Sequence, residues 1–119
     1  FPYTTLFRSM VVDKGDNPLN FVDPSGTAMF VYSIQRGVEL GLLKAKEYTP
    51  VAYRGYQSLF PFIQVNDRGL LDVIGACDGV VIKKNFVEYV TVPKILNAKE
   101  AVAGILWAAV IMETEQLKK

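Results

Sequence analysis

The sequence predicts a mainly α fold, with about three long helices joined by a short β-like connector. Three observations carry that reading. A nearly unbroken apolar run follows the cap-like pair Asp23-Pro24. A second cap-plus-proline pair stands at Thr49-Pro50, and a small-residue apolar run extends from Ala101 to Met112. Between the last two, glycines and prolines cut the chain into short β-favouring pieces.

The first helix is predicted from about Pro24 to Gly41. Asp23 suits the N-cap and Pro24 the first helical position, where its missing N–H would have been unpaired anyway. Met29, Phe30, Val31, Ile34, Val38, Leu40, Leu42 and Leu43 leave little room for a polar face, so burial on most sides is expected. Ser25, Gly26 and Thr27 set small polar groups at the helix mouth, where free N–H groups and the dipole favour an anion. A buried helix with such a mouth belongs in the inner ring of an all-helical barrel.

The second helix is predicted from Thr49-Pro50 to about Phe60, with Pro61 near its end. Arg54, Gln57 and Ser58 make its exposed side, and Val51, Ala52, Tyr56, Leu59 and Phe60 its apolar one, the pattern of an outer helix. Asn66-Asp67-Arg68-Gly69 reads as a turn, residues 70–82 as short extended pieces broken by Gly75 and Gly79, and Val87 to Val92 as a further β-rich stretch ended by Pro93. The third long helix runs from about Ala98 to Gln116, with Gly104, Ala103, Ala108 and Ala109 for close contact and Trp107 as core bulk.

With 119 residues the chain fits one domain. Half of it is hydrophobic and the net charge is only +1, which argues against a disordered tail and a nucleic-acid binder. The apolar run at 101–112 falls short of the roughly 20 residues needed to span a bilayer, so no membrane partner is expected. A lone Cys77 excludes an internal disulfide, and the lack of histidine excludes a Ser-His or Cys-His nucleophile pair and a His-based metal site. No cofactor or metal is expected, and nothing in the chain reports its cellular location.

The segment Val11-Val12-Asp13-Lys14-Gly15-Asp16-Asn17-Pro18-Leu19-Asn20, followed by Asp23 and by Ser25 to Phe30, resembles the unsaturated rhamnogalacturonyl hydrolases of glycoside hydrolase family 105. More distantly it is similar to the unsaturated glucuronyl hydrolases of family 88. The match continues through Arg36-Gly37-Val38, Leu40-Gly41, Gly69 to Val73, Gly75-Ala76-Cys77, Glu88-Tyr89 and Asn97 to Gly104. It departs at Lys83-Lys84-Asn85, where a Gly-rich loop is usual. The resemblance implies part of an (α/α)6 barrel and a substrate with a terminal 4,5-unsaturated uronyl residue, such as pectin-derived oligosaccharides. It also implies that the catalytic aspartate lies upstream, on a missing N-terminal half of the barrel, so no catalytic residue is expected here.

For substrate binding, Ser25, Gly26 and Thr27 at one helix start, with Asn97 and Lys99 at another, would give a uronyl carboxylate its donors, and Tyr89 a stacking face. Asp13, Asp16, Asp72 and Asp78 sit in turn-rich surroundings and read as turn chemistry. Residues Phe1-Pro2-Tyr3-Thr4-Thr5-Leu6-Phe7-Arg8-Ser9 read as the in-frame translation of a DNA-sequencing adapter, leaving 10–119 as the C-terminal part of the barrel domain. An unsaturated glucuronyl hydrolase, another (α/α)6 sugar enzyme and a non-catalytic helical interaction module stay open beside the family 105 reading.

Overall fold

The computed structural model describes residues 9–118. The adapter-like stretch lies outside the described residues except for Ser9, which forms an antiparallel bridge with Val22. Between these two, the 10–21 loop is closed by Asn20. Its side-chain amide donates to the Val11 and Lys14 carbonyls at 2.8 and 2.9 Å, and its Oδ1 accepts from Val11 N–H at 3.2 Å. Asp13 and Asp16 ride on the outside of this loop, exposed.

Helix α1 spans Pro24–Glu39. Asp23 caps it in extended backbone, accepting from Ser25 N–H at 2.7 Å, with Pro24 in the first turn as anticipated. It ends because Gly41 adopts a left-handed φ of 72° that a residue with a side chain resists. The Leu42 and Gly41 N–H groups then return to the carbonyls of Gly37 and Val38, the doubly bonded glycine stop.

Helix α2 spans Ala45–Gln57 and begins earlier than the Thr49-Pro50 pair predicts. The first turn closes on the Lys44 carbonyl, which accepts from Glu47 and Tyr48 N–H, so Pro50 lies inside the helix. Its ring removes one donor there without preventing the turn before it from forming. Thr49 is no cap, since its hydroxyl is buried with no hydrogen-bond partner.

A single 3₁₀ turn, Phe60–Phe62, leads into a hairpin of β1 (Ile63–Val65) and β2 (Leu71–Val73), antiparallel with Gln64 opposite Asp72. The predicted Asn66–Gly69 turn joins them, with Asn66 Oδ1 accepting from both Arg68 and Leu70 N–H. A second small sheet pairs β3 (Ala76–Cys77) with β4 (Lys94–Ile95), also antiparallel. The expected strand at 87–92 is instead a short helix, α3 (Phe86–Val90). Asn85 accepts from Glu88 N–H at 3.0 Å, and Glu88 accepts from Lys84 N–H. These two bonds at the helix start outweigh the β preference of the valines.

Helix α4 spans Lys99–Leu117 and packs against α1. A Cβ on Gly104 would stand 3.3 Å from that of Ala28, so the two helix starts touch. At their far ends the Lys118 ammonium lies 3.6 Å from the Glu39 carboxylate. Hence α1 and α4 run side by side in the same direction. The short 40–44 connection folds α2 back against α1, and Tyr56 of α2 donates to Glu113 of α4 at 2.8 Å. Two parallel neighbours and one returning helix form an arc of a helical barrel.

The core lies inside this arc, with Ala28, Val31, Ala52, Tyr56, Leu59, Ala101, Ile105, Ala108 and Met112 all buried. Burial on most sides of α1 does not hold among the described residues: Met29 and Phe30 are 49% and 44% exposed. Nor is Trp107 a core residue. It is 62% exposed, its ring tilted against that of Tyr32 at 5.3 Å. Together with Leu106 and Val110 it forms an uncovered apolar stripe on α4. No described helix is long and apolar enough to cross a membrane.

Candidate functional site

Because α1 and α4 run in the same direction, their N-termini open at one end of the arc. A cavity of about 320 Å³ lies there, bordered by Asp23, Ser25, Gly26, Met29 and Phe30 from α1, by Glu100 from the first turn of α4, and by Cys77 and Gly79 from the connector. Met29 and Phe30 give it an apolar side, and the carboxylates with Ser25 give it a polar edge. That combination of C–H contact with convergent polar groups is what a small hydroxylated ligand requires.

Asp23 is only 6% exposed and fully engaged. Its Oδ1 accepts from the Ser25 N–H and the Ser25 hydroxyl, and its Oδ2 from the Cys77 thiol at 3.4 Å. It orients the cavity wall and holds the helix start. Burial pushes the Cys77 thiol up to about 11, helped by its hydrogen bond to Asp23 and the nearby negative charge. The thiol therefore stays protonated as a donor and is no nucleophile at neutral pH. Alkylation of Cys77 by iodoacetamide should accelerate about tenfold per pH unit up to pH about 11, because only the thiolate reacts. In Asp23→Asn the profile should move to lower pH. A wild-type plateau near pH 9 would contradict the arrangement.

Of the residues singled out in the sequence, Ser25 and Gly26 border this cavity. Thr27 is buried behind it and donates to the Asp23 carbonyl at 3.2 Å. Asn97 and Lys99 border a separate, apolar cavity of about 630 Å³ beside Ile63, Leu71, Val73 and Leu106. The two helix starts therefore do not bring Ser25 and Lys99 into one recess.

Asn97 does not cap α4, whose cap position is Ala98. Instead, in left-handed backbone with φ 56°, it extends the hairpin: its Oδ1 accepts from Val73 N–H at 2.7 Å and its amide donates to Asp72 at 2.9 Å. Tyr89 is half-buried on α3 and borders neither cavity. Glu100 stands in the first turn of α4, where a carboxylate suits the helix dipole. Its place in the cavity depends on the parallel pairing of α1 and α4, which no local signal encodes. Among the described residues no group of three or more His, Cys, Asp or Glu side chains is placed to hold a metal ion.

Comparison with known proteins meets this architecture directly. Among solved structures, the chain is similar to a glycoside hydrolase from family 105 of C. acetobutylicum ATCC 824, with a TM-score of 0.83 and 26% identity. The match covers 91% of this chain and 32% of that one, so the chain spans about a third of that protein's length. No curated protein matches. The family model described as Glycosyl Hydrolase Family 88 matches residues 5–116, which is nearly the whole chain. With an arc of helical barrel, a cavity at the helix starts and that match together, the chain belongs to glycosyl hydrolase family 88.

Proposed function

We propose that this chain is the C-terminal arc of an (α/α)6-barrel hydrolase that removes a 4,5-unsaturated uronyl residue from pectin-derived oligosaccharides. In that reaction a proton is added to C4 of the enol ether and water to C5, after which the hemiketal opens and the remaining sugar leaves. The observation that carries the reading is the cavity at the paired starts of α1 and α4, bordered by Ser25, Gly26 and Glu100 on the polar side and by Met29 and Phe30 on the apolar side.

The chain's own aspartates support placing the proton donor on the remainder of the barrel. Asp23 is held by Ser25 and Cys77, and Asp72 by Asn66 and Asn97, while Asp13, Asp16, Asp67 and Asp78 lie on exposed loops and turns. The role of this arc is then to position a sugar ring beneath the donor.

The test is to incubate the full-length protein with lyase-generated pectin fragments and follow the ultraviolet absorbance of the enol ether. Loss of absorbance with release of the neighbouring sugar is the expected outcome. Turnover of glucuronyl-ended substrates alone would move the activity to the unsaturated glucuronyl type. An unchanged absorbance with every unsaturated uronide would remove the proposal.

A further inference from the structure

We propose that Lys83 and Lys84, on the 78–85 loop between β3 and α3, hold an interior carboxylate of the oligosaccharide whose terminal ring enters the α1–α4 cavity. The inference rests on the hydrolase reading above and narrows the substrate to chains with a second uronate near the cleaved bond. Gly79 and Val80 border the cavity. Gly79 has a left-handed φ of 47°, and the chain beyond it runs into solvent. Val81 and Ile82 are 70% and 99% exposed, and both lysines are exposed as well. Three residues of extended chain span at most about 11 Å, so the Lys83 backbone stands within that distance of Val80. That is the reach of the rings that follow the terminal one.

The loop is anchored at both ends. Cys77 pairs with Lys94 across the β3–β4 ladder and donates to Asp23 at 3.4 Å. At the other end Glu88 Oε2 accepts from Lys84 N–H at 3.3 Å, and Asn85 caps α3. The lysine backbones are thus held beside the cavity while the ammonium groups keep their reach. Among the described residues neither lysine forms an ion pair, and residues 1–8 contain no Asp or Glu to supply one. A lysine is a flexible point charge that accepts a carboxylate in several poses through charge-assisted hydrogen bonds. Val81 and Ile82 set apolar surface next to it for the C–H edge of a ring. Lys83-Lys84-Asn85 is also where the chain departs from the family 105 pattern, so the preference is this chain's own. The two lysines act in specificity, with no part in proton transfer.

The experiment uses the full-length protein and unsaturated oligouronates of one length, with interior carboxylates free in one series and methyl-esterified in the other. Esterification removes the charge and keeps the sugar. Wild type should favour the free series in kcat/KM, through KM, and the preference should shrink as salt is raised. Lys83→Gln/Lys84→Gln should narrow it about fivefold, the upper end for exposed ion pairs, while Lys83→Arg/Lys84→Arg should retain it. A merely structural role would lower both series alike and leave their ratio unchanged. An unchanged ratio in the Gln variant, or no preference in wild type, would overturn the assignment.

If no unsaturated uronide is turned over, the hydrolase reading fails while the loop is tested by ligand-observed NMR with a saturated trigalacturonate and its methyl ester. Binding of the free acid by wild type, weakened in Lys83→Gln/Lys84→Gln and not matched by the ester, supports the assignment. Equal binding of acid and ester, equal binding by wild type and variant, or no binding at all contradicts it.

Discussion

Gly104→Leu is expected to unfold the arc, while Gly104→Ala should be nearly silent. Gly104 lies where α4 packs on the first turns of α1. An added Cβ would meet the Ala28 Cβ at 3.3 Å and the Ser25 carbonyl oxygen at 3.5 Å. For alanine, that tight contact opposes the gain of about 1 kcal/mol from better helix propensity, and the two nearly cancel. Leucine adds three further carbons that have nowhere to go except between the helices. Overpacking of this kind costs about 3 kcal/mol, and here it also pushes apart the two N-termini that frame the cavity. Because native domains are stable by only about 5–15 kcal/mol, such a loss is a large fraction of the whole. Thermal unfolding of the full-length protein, followed by circular dichroism, checks it. A leucine variant that melts with wild type would show that α1 and α4 do not pack as described.

The second large effect concerns the uncovered faces. Met29 and Phe30 on α1, with Leu106, Trp107 and Val110 on α4, present large apolar side chains to solvent. Burying one such side chain contributes about 1.5–3 kcal/mol, so covering five that are already half-shielded is worth on the order of 5 kcal/mol. That is comparable with the total stability of a domain of this size. The 119-residue chain by itself is therefore expected to associate through these faces and to lack a sharp unfolding transition. Within the proposed complete barrel the same residues should be protected. Sedimentation velocity separates the outcomes. A monomer with a cooperative melt would mean that the exposed stripe is no docking face for further helices.

The helices at 24–39 and 99–117 were legible because each joins a clear start signal to a long apolar pattern, and both predicted starts lie within a residue of those observed. The start of α2 was misread because Thr49-Pro50 imitates a cap, whereas the carbonyl of Lys44 performs that task. The hairpin at 63–73 was half legible. Its turn was marked by Asn66 and Gly69, but β1 pairs only three residues, too few to show alternation. Helix α3 was hidden by the β-favouring Val87 and Val90, and its real signal was the Asn85–Glu88 cap.

Of the candidate site, Ser25 and Gly26 were legible as a helix mouth. Helix starts are local, but which starts meet is a matter of topology. Asn97 and Lys99 were therefore assigned to a shared recess, while Glu100, one residue further along α4, is the residue that borders the cavity. The resemblance seen in ordered short motifs accounts for the rest, since an arc of a barrel carries the family's spacing.

The most direct test of the central claim compares enol-ether consumption by the isolated 119-residue chain with that by the full-length protein, on the same lyase-generated oligosaccharides. The account predicts steady loss of absorbance with the full-length protein and none with the isolated chain. Turnover by the isolated chain would contradict it, because the proton donor would then have to be one of the carboxylates assigned here to holding the wall.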